Sequence, residues 1–276
     1  MQAASSTFPT SNGLVLFEQH WLPDGPPKGD VVIVHGYAEH SGRYVHVGEY
    51  LSAHGYAVHA FDLRGHGRSE GPRVLVRSMN EYLDDLDAFL QRVRPKERAL
   101  FIIGHSMGGT IVTLSQVTRA QEAHGIVLSG PSLTSTGVSG LMRRFVLLLG
   151  RFFPKFRLRQ LDAATVSRDP AVVAAYDADP LVDRGKVHAG TAAAMFRAMK
   201  TIEKRMPHFH RPLLIMHGTG DQLASPEGSS ALHEQVSSRD KTLRLYEGLY
   251  HEIFNEPERE EVLAELTAWL DARTTG

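Results

Sequence analysis

The pentapeptide Gly104-His105-Ser106-Met107-Gly108 fits G-x-S-x-G, and its setting matters more than the pattern in a chain with 25 glycines. The apolar run Leu100–Ile103 precedes it, and Gly109-Thr110-Ile111-Val112-Thr113-Leu114 follows as a helix-compatible stretch. That is the strand, sharp turn and helix of a nucleophile elbow. Its glycines let neighbouring backbone approach closely, and the helix N-terminus favours negative charge developing beside Ser106. A serine hydroxyl is a poor nucleophile at neutral pH, so a histidine must take its proton and a carboxylate must fix that histidine's tautomer. Fifteen histidines compete for the role. His251 stands out: it lies in the loop Glu247-Gly248-Leu249-Tyr250-His251-Glu252, between a strand-like run and the final helix. By position alone Asp62 and Asp221 are both acceptable acids. The chain order Ser, acid, His that accompanies this type of turn selects Asp221, and leaves Asp62, before Leu63-Arg64-Gly65-His66-Gly67, to structure a turn.

Metal and nucleotide chemistry find no support. His251-Glu252 begins like H-E-x-x-H, but position 255 is Asn, so the second helical ligand is missing. No P-loop and no dinucleotide fingerprint occurs, and no cofactor is implied.

These residues need a framework. Apolar runs at Leu14–Trp21, Val31–His35, Tyr56–Asp62, Leu100–Ile103, Gly125–Ser129, Leu213–His217 and Thr242–Tyr246 read as strands. Between them, Ser78-Met79-Asn80-Glu81 has capping-box spacing, ahead of apolar residues at helical intervals from Met79 to Val93. Pro257 opens a last amphipathic helix. The alternation predicts an α/β fold: a mostly parallel central sheet with helices on both faces. It stops between about Pro131 and Pro212, where helical periods run on without a strand. The expected organisation is a core over 1–130 and 212–276 with a helical cap inserted over 131–211. Within that insert, Leu141, Met142, Phe145, Val146, Leu148, Leu149, Phe152 and Phe153 make a wide apolar face punctuated by Arg143, Arg144 and Arg151. That face suits either packing on the core or contact with lipid.

Composition narrows the classes further. The 276 residues are long enough for a sizeable interior, and 42% hydrophobic with 22% charged is a globular balance. Lys+Arg at 30 against Asp+Glu at 31 leaves a net charge of -1, so nucleic acid is not an expected partner. With no cysteine there is no disulfide, thiolate nucleophile or cysteine-bound zinc. The first 13 residues carry neither the basic nor the apolar region of a signal peptide, and no run approaches the roughly 20 apolar residues of a membrane span. A soluble, cytoplasmic protein is expected, with peripheral membrane contact through the cap.

Taken together, His35-Gly36-Tyr37-Ala38-Glu39-His40-Ser41-Gly42-Arg43-Tyr44, Gly65-His66-Gly67-Arg68-Ser69, Gly104 to Gly109, His217 to Asp221 and Tyr250-His251-Glu252 closely resemble the monoacylglycerol lipase family of α/β-hydrolases, in its bacterial branch. The resemblance runs from about Leu14 to Leu270. It implies Ser106 as nucleophile, Asp221 as orienting acid, His251 as general base and then acid, and the backbone N–H groups of Tyr37 and Met107 as the oxyanion hole. It also implies a polar pocket for a glycerol leaving group near Glu39, Arg43 and Tyr176, although Glu39 and Arg43 suit a local ion pair bracing the oxyanion loop equally well. Vertebrate relatives place a second histidine three residues after the catalytic one, where this chain has Phe254. The implied reaction is hydrolysis of a monoacylglycerol to fatty acid and glycerol. Lysophospholipase, broad carboxylesterase and acyltransferase activities share the same triad. Oligomeric state, acyl length and regiochemistry are left open by the residues.

Overall fold

The computed structural model describes residues 1–93 and 97–274. Eight strands form one sheet in the order β1-β2-β4-β3-β5-β6-β7-β8. Strands β3 (Gly29–Val34), β4 (Tyr56–Phe61), β5 (Ala99–His105), β6 (Gly125–Ser129), β7 (Leu213–Gly218) and β8 (Lys241–Tyr246) are parallel, while β2 (Val15–Leu22) pairs antiparallel with β4 and with β1 (Gln2–Pro9). Strands β3 to β7 are buried along their whole length, which is why they read as unbroken apolar runs. Successive side chains serve opposite faces. Val32, Val34, Ile102 and Leu128 enter one core with α2 (Asn80–Val93) and α3 (Met107–Arg119); Val31, Ile33, Ile103 and Val127 enter the other, with α1 (Val45–Ala53) and α8 (Arg259–Asp271).

The expected strands all form, Gly125–Ser129 with the same bounds and the others with ends shifted by no more than two residues. The capping box forms in half: Glu81 accepts from the Ser78 N–H at 3.1 Å, but Ser78 Oγ accepts from the Asn80 N–H, one residue short of the reciprocal bond. Strand β1 has no counterpart in the sequence reading. Its Gln-Ala-Ala-Ser-Ser-Thr stretch is exposed, only Phe8 is buried, and its ladder to β2 is held by backbone bonds that leave no apolar period. The last helix begins at Arg259, two residues beyond Pro257.

Residues 131–211 carry α4 (Gly140–Phe152), α5 (Pro170–Ala178) and α6 (Ala189–Arg205), and among the described residues no strand beyond one isolated bridge, Arg157 to His188. Helix α6 sends Ala194, Ala198 and Ile202 into the same core as α2 and α3. Helix α4 is firmly started, with Ser139 Oγ capping the Met142 N–H, yet it leaves Leu141, Phe145, Leu148 and Phe152 exposed. No helix among the described residues is long and apolar enough to cross a membrane.

Candidate active site

The sheet order brings the carboxyl ends of β3, β5, β7 and β8 to one edge, where parallel α/β sheets place their sites. Ser106 follows β5 and caps α3 at φ 52 and ψ −116, a strained conformation for a residue with a side chain. The turn is possible because its neighbours lack one. A Cβ on Gly104 would stand 2.7 Å from the Gly108 carbonyl oxygen, one on Gly109 2.7 Å from Pro131 Cβ, and one on Gly108 would overlap the Val34 and His35 carbonyl oxygens. Met107 opens α3, so its N–H has no carbonyl a turn earlier in the helix.

Asp221 follows β7 and His251 follows β8. His251 Nδ1 donates to Asp221 Oδ2 at 2.7 Å, and the other oxygen, Oδ1, accepts the backbone N–H groups of Leu223 at 2.8 Å and Ala224 at 2.9 Å. Burial alone would raise the Asp221 pKa, but His251, His217 and these amides hold it well below the usual carboxylate range. Burial likewise disfavours the charged His251, and the Asp221 carboxylate overrides it, so the net shift of the imidazole is upward from 6.5. Asp62 is occupied elsewhere. It accepts from the Ser41 N–H at 2.8 Å and the Arg68 N–H at 2.8 Å, the turn-building role expected of it.

Ser106 and His251 line one cavity of about 160 Å³ together with Gly36, Tyr37, Met107 and Tyr176. Apolar side chains from residues 131–211, Leu161, Val166, Val187 and Met195, face the same space, with Leu223 from the loop after β7. At its polar end lies a buried ionic cluster. Glu39 Oε1 accepts from the Gly36 N–H at 2.6 Å and the Tyr44 hydroxyl at 2.8 Å, so it ties down the loop that presents Tyr37. Arg43 lies 3.3 Å from Glu39 Oε2 and grips Glu252 bidentately at 2.5 and 2.7 Å, with its guanidinium 4.7 Å from the Tyr176 ring centroid. Glu39, Glu252 and Tyr176 reach the cavity wall; Arg43 stands behind it. Burial opposes ionisation of Glu252, but Arg43 beside it brings its pKa below the ordinary value. The sequence assigns Glu252 no role of its own: it enters only as part of a broken zinc motif and of the family-like stretch Tyr250-His251-Glu252. Its place beside the candidate base was the available signal.

Sheet order, strained serine turn and the Asp–His pair at the carboxyl edge define an α/β-hydrolase. A family model described as serine aminopeptidase, S33, matches residues 25–258. The monoacylglycerol lipase of Mycolicibacterium smegmatis is 42% identical over 96% of this chain and 95% of its own length. Among solved structures, the Paleococcus ferrophilus monoacylglycerol lipase is 33% identical with a TM-score of 0.83, covering 99% of this chain and 100% of that one. A soluble variant of the Saccharomyces cerevisiae monoglyceride lipase, in complex with a substrate analog, is 26% identical with a TM-score of 0.86, covering 100% and 96%. The chain belongs to the monoacylglycerol lipase family, within the wider group that the serine aminopeptidase S33 model describes.

Proposed function

We propose that the protein hydrolyses monoacylglycerols to fatty acid and glycerol through an acyl-enzyme on Ser106. The observation that carries this reading is the 2.7 Å bond from His251 Nδ1 to Asp221, in a cavity wall shared by His251 and Ser106. Asp221 fixes the tautomer that leaves His251 Nε2 free to take the Ser106 proton as Oγ attacks the ester carbonyl. The Tyr37 and Met107 N–H groups receive the oxyanion, each donor of this kind being worth about 3 kcal/mol. Collapse of the tetrahedral intermediate breaks the bond to the glycerol oxygen, which takes the proton from His251. Water, deprotonated by His251, then attacks the acyl-enzyme, and fatty acid leaves as Ser106 regains its proton.

Residues 131–211 act in this reading as the cap, and the acyl chain lies between cap and core along Leu161, Val166, Val187 and Met195. Burial there stabilises the complex by about 0.8 kcal/mol per methylene, so affinity rises with chain length until the passage ends. Glycerol meets the polar end, where Glu39 and Tyr176 face it and Arg43 holds the two carboxylates apart. The exposed face of α4 rests on the membrane or micelle that holds the substrate, with Arg143, Arg144 and Arg151 beside anionic headgroups.

Initial rates of fatty acid release from 1-monoolein, lysophosphatidylcholine, a triacylglycerol and a short p-nitrophenyl ester, beside Ser106→Ala, test the substrate. Monoolein is expected to lead and the variant to be silent. A clear lead for the lysophospholipid or the short ester would remove the glycerol role from Glu39 and Tyr176 and leave an esterase of different specificity.

A further inference from the structure

Asp221 receives a second imidazole. His217, at the end of β7, is fully buried, and its Nε2 lies 2.9 Å from Asp221 Oδ2, the same oxygen that accepts from His251, and 3.1 Å from the Ala224 carbonyl oxygen. Both neighbours are acceptors, so Nε2 carries the proton. The other nitrogen, Nδ1, faces the hydroxyl of Ser229 on α7 (Pro226–Gln235) at 2.7 Å, a group able to donate or to accept, so the ring is held from both ends. With two imidazole N–H groups on Oδ2 and two amides on Oδ1, all of the roughly four acceptor sites of the carboxylate are filled.

Backbone approaches the pair from the remaining side. Gly130, at φ 49, lies so near that a Cβ there would stand 2.9 Å from the His251 carbonyl oxygen, 3.3 Å from His251 Nδ1 and 3.5 Å from Asp221 Oδ2. We infer that His217 is a positioning residue for the reaction: its N–H fixes the plane of the Asp221 carboxylate and moderates how strongly Oδ2 attracts the His251 proton. This rests on the reading of Asp221 and His251 given above. The sign follows from charge. A donor on Oδ2 lowers its negative potential, and without that donor Oδ2 stabilises the His251 imidazolium more. The base then stays protonated to higher pH, and a carboxylate anchored through Oδ1 alone lets the imidazole drift from Ser106.

The test compares pH profiles of kcat/KM on 1-monoolein for wild type, His217→Leu, His217→Gln and Ser229→Ala, with thermal melts beside them. His217→Leu is expected to lower kcat by ten- to a hundredfold, the scale of a small misalignment, with KM within about twofold, and to move the acid limb to higher pH. His217→Gln, whose side-chain amide can donate from a similar position, restores the limb and most of kcat. Ser229→Ala, which keeps the ring but frees its far nitrogen, moves the limb the same way by less and decides the matter if His217→Leu does not fold. A purely structural role lowers the melting temperature and leaves the limb where it was. Wild-type acid limbs in Ser229→Ala and in any folded His217→Leu overturn the inference. Full activity in Ser106→Ala or His251→Ala would instead overturn the triad reading, so the two failures are distinguishable.

Discussion

At the carboxyl edge of the sheet charged side chains are buried, whereas along α4 large apolar side chains are exposed. Each arrangement costs free energy relative to the common one, and the two are compensated differently. Arg43, Glu252, Asp221 and His251 are offset inside the chain by close bonds. Leu141 at 80% exposure and Phe152 at 66% have little of that kind: the Arg151 guanidinium lies 5.7 Å from the Phe152 ring centroid, and the lipid contact proposed above would cover the rest. The first region holds a geometry; the second, in the proposed reading, meets a lipid surface.

The largest effects should fall at the edge. Ser106→Ala is expected to lower kcat about a millionfold and Asp221→Asn about ten-thousandfold, both with a folded protein by circular dichroism. Turnover within tenfold of wild type in either would remove the catalytic side of the contrast. Arg43→Ala strands two buried carboxylates and should cost about 3–5 kcal/mol in denaturant unfolding. A loss below 1 kcal/mol would mean the cluster is hydrated and not a buried ionic network.

Acid sharpens the same region in two ways. His251 must be neutral to act as base and its pKa is raised, so kcat/KM should fall as pH drops through a value above 6.5. His35, His66 and His105 are buried neutral and held down to about 4, 3 and 4, because burial outweighs the nearby carboxylates. The unfolded chain takes up their protons below about 6.5 while the native one does not, so stability should decline from pH 6.5 toward 4, by several kcal/mol in order of magnitude. His251 works in the opposite sense and is outnumbered. Denaturant midpoints that are flat between pH 7 and 5 would contradict this.

The smallest effect on stability belongs to α4. Leu148→Glu and Phe152→Glu sit on exposed positions and should change unfolding free energy by no more than about 0.5 kcal/mol, while abolishing co-sedimentation with anionic liposomes. Liposome binding equal to wild type would leave that face unexplained by lipid.

How far the sequence disclosed these two regions differs with the physics involved. Parallel strands buried on both faces announce themselves as apolar runs, and Ser106, Asp221 and His251 sit at their ends, where a pattern of strand, loop and helix could find them. Strand β1 left no trace because backbone bonds at an exposed edge need no periodic side chain. Glu252 and His217 were printed beside His251 and Asp221, but their partners, Arg43 and Ser229, lie far off or on another element. Only folding reveals that a carboxylate next to a base is neutralised from behind, or that one oxygen serves two imidazoles. For α4 the spacing gave the apolar face but not its exposure, since packing and lipid contact write the same sequence.

The most direct test is to trap the intermediate. Rapid quenching of the enzyme with 1-monoolein, followed by peptide mass spectrometry, should find an oleoyl group on the peptide containing Ser106, and none in Ser106→Ala. An oleoyl group on another residue, or fatty acid release at the wild-type rate from Ser106→Ala, would contradict an acyl-enzyme at this serine.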